Sequence, residues 1–423
     1  MPSPRQIKVF SKYIQRHQIA DRLPEHDVPE SRMIVVIPAF LEKEYIFDCL
    51  KSLVNSAAKV DEAILVIIVV NASEMASEDV VREQEELYNS LQSFASGSSY
   101  PSVRFFVLKE FNIRRKHAGV GYARKIGMDQ AVLQFKKWQK YDGLIVSLDA
   151  DVTVAPDYFQ KLIKYFSNKK ASGCSIYFEH PLEGEEAGAI ALYELHLRYY
   201  KQALAFTGFP YAFHTVGSAF ALRADSYVMA GGMPRKQAGE DFYLIQKAAQ
   251  MGGWEELNST CVYPSSRPSD RVPFGTGPVV RDLMSGDPVY QTYAPEAFYA
   301  LKDFFDKRAD LYRITGSEYN TLLKTLVEPL RSFLIQDDFI RGLEHLNKNC
   351  STVSVFEKRF FEVFNAFKVV KYLNFVHNGY YEKLPVTDAA VMLLEEMNGE
   401  LPEKADAVSL LLSYRKIDKK TVD

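Results

Sequence analysis

The chain has 423 residues, of which 47% are hydrophobic and 25% charged, and a formal net charge of −3. That length exceeds one ordinary core and predicts two domains of common globular composition. The near-balanced charge argues against nucleic acid as a partner.

In chain order, apolar strand-like runs alternate with helix-like segments. Residues 33–37 form a first expected strand, ended by Pro38, and 44–56 an expected helix with Ile46, Phe47, Leu50, Leu53 and Val54 on one face. A second strand is expected over 63–70, a charged helix over 77–94, a small-residue loop over 96–101 and a third strand over 103–108. A helix over 122–138 and a fourth strand over 144–148 follow. This βαβαβαβ order predicts a parallel sheet covered on both faces, with right-handed crossovers. Beyond Asp151 the pattern mixes strands (172–178, 218–222) with helices (184–206, 239–250). Residues 264–281, rich in Pro, Gly, Ser and Arg, read as a mobile loop. From about 290 the chain reads as wholly helical. Residues 360–376 fit an amphipathic helix against a core rather than a membrane span. The longest purely apolar run, 63–70, is too short to cross a bilayer, and the first twenty residues lack the apolar core of a signal peptide. Four scattered cysteines, Cys49, Cys174, Cys261 and Cys350, have no metal-ligand spacing and fit reduced thiols in a cytoplasmic protein.

Four constellations carry candidate chemistry. Asp149 and Asp151 close the fourth apolar run, where packing does not account for two acids. Hard oxygen ligands at the carboxyl end of a parallel strand suit a divalent cation holding phosphates. Solvated acids ahead of the next helix are the plainer alternative. Gly239-Glu240-Asp241 opens a helix, where acids also simply complement the dipole. The run from Arg114 to Lys125 sets glycines among basic residues, either to approach phosphates or as a solvated loop; as a dinucleotide fingerprint it fails, with Arg124 in the third glycine place. Arg267 and Arg271, in a glycine-bearing loop, have the chemistry to clamp a diphosphate, or none beyond that of a loop.

Five blocks stand in a definite order: Val36-Ile37-Pro38-Ala39-Phe40 through Glu44, residues 118–127, Asp149-Ala150-Asp151, residues 217–232 and Glu240-Asp241. In their order and spacing the chain resembles inverting glycosyltransferases of family 2, over roughly residues 32–276. The resemblance implies an α/β GT-A fold with a mainly parallel central sheet, to which a C-terminal all-helical region is added. The chain is expected to divide into an N-terminal extension over 1–30, a catalytic domain over 31–284 and, outside the resemblance, a helical domain over 285–423. The resemblance further implies a nucleotide-diphosphate sugar donor, a hydroxyl acceptor, and Mn²⁺ or Mg²⁺. Pro38, Ala39, Phe40 and Glu44 would line the nucleobase and ribose side, and Arg124 would sit near the nucleotide. Asp149 would approach the ribose or metal, Asp151 would be the main metal ligand, and Asp241 the general base. Glu240 is counted with it, since like-charge repulsion there would raise a pKa. His214 is a candidate second metal ligand, and Tyr199, Tyr200, Phe209, Tyr211, Phe213 and Trp254 are candidates to stack on a sugar.

The chain departs from the family at Asn71, where Asp is common and which bears on nucleobase preference, and at Lys125, where Asn is common. The Gln-x-x-Arg-Trp motif of processive synthases and transmembrane helices are absent, which argues against a secreting polysaccharide synthase. Three rivals remain: a haloacid-dehalogenase-like phosphatase using Asp149 and Asp151, a sugar-nucleotide pyrophosphorylase, and a non-catalytic sugar-nucleotide-binding protein.

Overall fold

A computed structural model describes residues 2–24, 28–97, 100–236, 239–270, 275–286 and 289–420. The chain divides into two compact units. The first comprises Met1–Pro181, Thr215–Ser265 and Asp418–Asp423; the second comprises Leu182–His214 and Ser266–Ile417.

The elements run α1 (Pro4–His17), β1 (Met33–Ala39), α2 (Ile46–Ala57), β2 (Ile64–Ser73), α3 (Glu78–Gly97), β3 (Val103–Ile113), α4 (Val120–Lys137), β4 (Leu144–Ser147), β5 (Val152–Val154), α5 (Tyr158–Asn168) and β6 (Gly173–Phe178). After α6 (Ala187–Phe206), which belongs to the second unit, come β7 (Phe220–Arg223), α7 (Ala224–Ala230), α8 (Glu240–Gln250) and β8 (Trp254–Pro264).

One eight-stranded sheet carries the first unit, in the order β3-β2-β1-β4-β7-β6-β8-β5. The pairs β3–β2, β2–β1, β1–β4 and β6–β8 are parallel, while β7 runs antiparallel to β4 and β6, and β5 antiparallel to β8. Every residue of β1 is buried, as is all of β2 before Ser73. Unbroken apolar runs are what a strand covered on both faces requires. Successive strands β1, β2 and β3 build outward on one side, and β4 lies on the other side of β1. That reversal makes the carboxyl ends of β1 and β4 the crevice where open α/β sheets take ligands. Pro38 is tolerated in this central strand because the β1–β4 pairing ends at Val36↔Ser147, with Leu148 N–H closing on the Val36 carbonyl at 3.2 Å.

The mainly parallel α/β sheet is the expected one, but several boundaries differ. Residues 1–30 are no separate extension in packing terms, since α1 is docked on α4 and α7. Phe10 meets Tyr141 edge-on at 4.7 Å, and Gln6 Nε2 donates to Asp225 at 3.3 Å. The compact units also do not divide near residue 284, because 182–214 and 266–284 group with the C-terminal helices.

The second unit adds α9 (Thr276–Ser285), α10 (Pro295–Asp306), α11 (Gly316–Thr325), α12 (Glu328–Gln336), α13 (Phe339–Lys348), α14 (Val353–Val363), α15 (Ala366–His377), α16 (Val386–Glu396) and, up to Ile417, α17 (Ala407–Lys420) to α6. It is not wholly helical: β9 (Gln291–Thr292) and β10 (Leu384–Pro385) pair antiparallel. The stretch expected as one amphipathic helix is two, α14 and α15. The break falls where Phe364 turns inward, fully buried, and Asn365 caps α15 by accepting from Lys368 N–H at 3.1 Å. Phe304, Phe305, Phe339, Phe360 and Phe364 form an aromatic core, mostly edge-to-face. Candidates for sugar stacking are spent in packing: Tyr199 meets Phe298, Phe209 meets Phe361, and in the first unit Trp254 meets Phe220.

Candidate active site

The crevice is organised by one arginine. Helix α4 packs its small residues against β1 and β2; a Cβ on Gly127 would stand 2.4 Å from a Val36 methyl. This close seating drives Arg124 into the interior, where its side chain is 2% exposed. Its Nη2 donates to Asp149 Oδ1 at 2.6 Å, at the end of β4, and its Nη1 donates to Glu240 Oε1, in the first turn of α8. Nε is buried with no partner among the described residues. Burial opposes the charged guanidinium, but Asp149, Glu240 and Asp241 more than offset that and hold its pKa above the ordinary value.

Asp241 follows Glu240 and accepts its own Phe242 N–H at 2.7 Å. Burial is the largest influence on its carboxyl and the Glu240 charge the next; Arg124 pulls the other way, and the pKa rises to about 7. Glycines make room for this cluster. A Cβ on Gly217 would lie 2.9 Å from Arg124 Nη2 and 3.0 Å from Asp241 Oδ2, and one on Gly121 would lie 2.7 Å from the Glu240 side chain. Both are places where a side chain forces the ion cluster to move. Glu240, 3% exposed and held by Arg124, is placed to anchor that arginine rather than to meet a substrate.

Asp149 keeps a 35% exposed side chain and Asp151 is half-buried, on the turn between β4 and β5. Two carboxylates with hard oxygens at the end of β4 are a chemically apt partial shell for Mg²⁺ or Mn²⁺. Such ions typically use one or two protein carboxylates and complete the shell with phosphate oxygens and water. Among the described residues no group of three His, Cys, Asp or Glu is placed to hold a metal ion. Beneath the turn, Cys49 Sγ lies 3.7 Å from the Asp149 carbonyl oxygen. Burial, then Asp151, Asp149 and Glu42, push its thiol up, which keeps it neutral and unreactive.

Pro38 and Ala39 end β1 at the crevice, with Phe40 half-buried beside them. Asn71, 5% exposed, lies two residues before the end of β2, and its Oδ1 has no hydrogen-bond partner among the described residues. Glu44 is exposed, and α2 begins only at Ile46. The acid that turns inward is Glu42, 8% exposed, whose charge reaches Cys49 together with those of Asp149 and Asp151. Of the two acids ahead of α2, Glu42 is the buried one, and its carbonyl oxygen, accepting from Tyr45 and Ile46 N–H, starts the helix.

The expected loop over 264–281 is shorter than its composition implied. Pro264 belongs to β8, Thr276 opens α9, and Ser269 N–H is bonded to the Gly277 carbonyl at 3.1 Å. Arg267 is half-buried in the second unit, and Arg271 lies outside the described residues. His214 also belongs to the second unit. A buried cluster not anticipated from sequence surrounds Lys125. Its Nζ donates to Asp129 Oδ2 at 2.7 Å, while Tyr13 and Tyr227 hydroxyls donate to Asp129 Oδ1 at 2.7 and 3.1 Å. The i,i+4 spacing of Lys125 and Asp129 was a readable sign of half of it.

Residues 34–228 match the sequence model described as glycosyl transferase family 2. The chain carries a family 2 glycosyl transferase domain. The match covers a little under half of the chain and takes in β1 through α7, including Arg124, Asp149 and Asp151; α8, with Asp241, follows it. It is the family that the five sequence blocks resemble, and it makes the protein a glycosyltransferase. No curated protein sequence matches the chain. Among solved structures, Staphylococcus aureus TarS 1–349 in complex with UDP-GlcNAc is similar at 14% identity and a TM-score of 0.37, over 91% of this chain and 90% of that one. The mannosyltransferase PcManGT from Pyrobaculum calidifontis, in complex with GDP-Man and Mn²⁺, is similar at 12% identity and a TM-score of 0.32, over 99% and 95%. Among the described residues no helix is long and apolar enough to cross a membrane.

Proposed function

We propose that this glycosyltransferase moves a sugar from a nucleotide-diphosphate donor to an acceptor hydroxyl with inversion at the anomeric carbon, and that Asp241 is the base. The observation that carries the reading is Asp241 itself: a carboxyl raised to about 7, beside an arginine that ties the end of β4 to the start of α8. A base is most effective when its pKa lies near the working pH. Pro38, Ala39, Phe40 and Asn71 face the nucleobase and ribose.

In the step itself the acceptor hydroxyl gives its proton to Asp241 as its oxygen bonds to the anomeric carbon. The carbon–oxygen bond to the nucleoside diphosphate breaks with its electron pair on the diphosphate. One displacement inverts the centre. Arg124 holds Asp149 and Glu240 in place and contributes fixed positive charge near the departing diphosphate. Asp151, with Asp149, would hold Mg²⁺ or Mn²⁺, whose Lewis acidity offsets the charge on the leaving group.

The test is a thermal-shift screen of nucleoside diphosphates and their sugars with and without Mn²⁺, followed by donor hydrolysis. Binding to the native state raises apparent stability by mass action. We expect one nucleoside diphosphate to raise the melting temperature in a manganese-dependent way. No shift with any of them, at millimolar concentration, removes the proposal.

A further inference from the structure

Where β1 and β2 part company, a side chain takes over from the backbone. Their parallel register runs from Met33↔Ile64 to Ala39↔Val70 and stops where β1 ends, while β2 continues to Ser73. Into this fork α3 projects Gln84, fully buried. Its Nε2 donates to the Ala39 carbonyl at 3.2 Å and to the Asn71 carbonyl at 2.6 Å, and its Oε1 accepts from Leu41 N–H at 3.0 Å. A carboxamide has the donors and acceptor of a peptide group, so one side chain bridges both strand ends as another rung would.

Two further features lie at the same fork. Leu41 holds φ at +55°, a left-handed conformation costly for a leucine and sustained only by its surroundings. Asn71 is tied through its carbonyl, and its side-chain Oδ1 is buried without a partner among the described residues. A buried acceptor in that state is costly unless a donor reaches it, and a base N–H is such a donor.

We propose that Gln84 is the positioning residue that sets base selectivity in this enzyme. It touches no substrate. By fixing the spacing of Ala39, Leu41 and Asn71, it determines which nucleobase edge meets Phe40 and the Asn71 amide. The proposal rests on the reading of the crevice as a nucleoside-diphosphate site.

The experiment compares the full-length protein with Gln84→Met, which keeps the length but none of the three bonds, and Gln84→Glu, which keeps an acceptor and loses both donors. Affinities for UDP, GDP, ADP, CDP and inorganic pyrophosphate are measured calorimetrically with Mn²⁺, together with turnover of donor hydrolysis. We expect roughly tenfold or greater loss of affinity for the preferred nucleoside diphosphate and a collapse of the ratio between best and worst bases. Pyrophosphate affinity and turnover at saturating donor stay within about twofold. A merely structural role would weaken all five ligands together, and that result overturns the proposal, as does an unchanged ratio. Wild-type protein that binds all four nucleotides equally also overturns it. Wild-type protein that binds none removes the proposed function instead. Amide exchange on the wild type keeps the idea testable if the variants do not fold. Leu41 N–H should be protected like the strand amides of β1 and slow further with the preferred nucleotide, and exchange at free-loop rates overturns the proposal.

Discussion

Arg124 and Lys125 are consecutive residues on α4, each almost fully buried, and each paired with carboxylates, yet they build opposite kinds of cluster. Around Lys125 the bonded groups balance: one ammonium, one carboxylate and two tyrosine hydroxyls, with Lys125 also within 3.3 Å of the Tyr13 oxygen, while the Arg235 cation acts on both Lys125 and Tyr13 from beside them. Around Arg124 three carboxylates share one cation, and the surplus negative charge is accommodated by Asp241 taking up a proton at pH values where an ordinary aspartate has none. The neutral cluster fixes α1 to α4 and α7. The unbalanced one sits at the strand ends with Asp149 partly exposed. Two buried ion pairs of similar geometry are thus distinguished by their local sum of charge, and the surplus marks the place where a proton is exchanged.

Replacing Asp241 by Asn is the strongest way to break that comparison. The variant keeps the size and loses the proton acceptor, so turnover should fall by about 10²- to 10⁴-fold while nucleoside-diphosphate affinity holds. Steady-state kinetics with calorimetry reads both quantities. Full turnover in this variant would leave the charge surplus without a chemical role.

Arg124→Met and Lys125→Met sharpen the contrast as a pair. Each strands buried carboxylate, so each should cost on the order of 3–5 kcal/mol in urea unfolding. Their pH profiles should separate them. In the wild type, turnover rises as pH passes through about 7, where Asp241 ionises. Arg124 lowers that pKa, so its loss moves the rise to higher pH, whereas loss of Lys125 leaves it in place. The same group bears on stability with a definite sign. Its folded pKa lies above its unfolded value of 3.8, so its contribution is complete below about pH 4 and is lost as pH rises through 7. In Asp241→Asn that part of the pH dependence should vanish.

Gly217→Ala tests the packing that brings the two halves of the unbalanced cluster together. Its new methyl meets the Arg124 guanidinium and the Asp241 carboxylate, which must shift to admit it. Overpacking of this kind costs typically 1–3 kcal/mol. The result expected is a loss of turnover larger than the loss of stability, measured on the same sample.

The parallel core was legible in the sequence because β1, β2 and β4 are buried on both faces and therefore read as unbroken apolar runs. Asp149 and Asp151 were legible for the converse reason: nothing apolar explains them. The tie between Glu240 and Arg124 was not legible because the two residues lie 116 apart in the chain. Glu44 was named and Glu42 overlooked because helical patterning does not say which of two acids ahead of the first turn points inward. The strand β8 was missed since its burial does not alternate cleanly. Helix α6 was found, but its allegiance to the second unit was not, because an apolar stripe reports that a helix packs and not against what.

The smallest expected effect comes from Tyr13→Phe, and it asks whether the neutral cluster is as inert as its balance implies. The hydroxyl donates to Asp129 Oδ1, which also receives Tyr227, so removing it leaves that oxygen with a donor still in place. Two hydrogen bonds are lost, the one to Asp129 and the long one received from Lys125 Nζ at 3.3 Å, and no charge is stranded. The cost should be about 1 kcal/mol, read as a shift in the urea midpoint at unchanged slope. Turnover and its pH rise should match the wild type. A displaced pH rise in this variant would mean that the two clusters on α4 are electrically coupled, and that the distinction between neighbouring buried cations drawn from their charge sums does not hold.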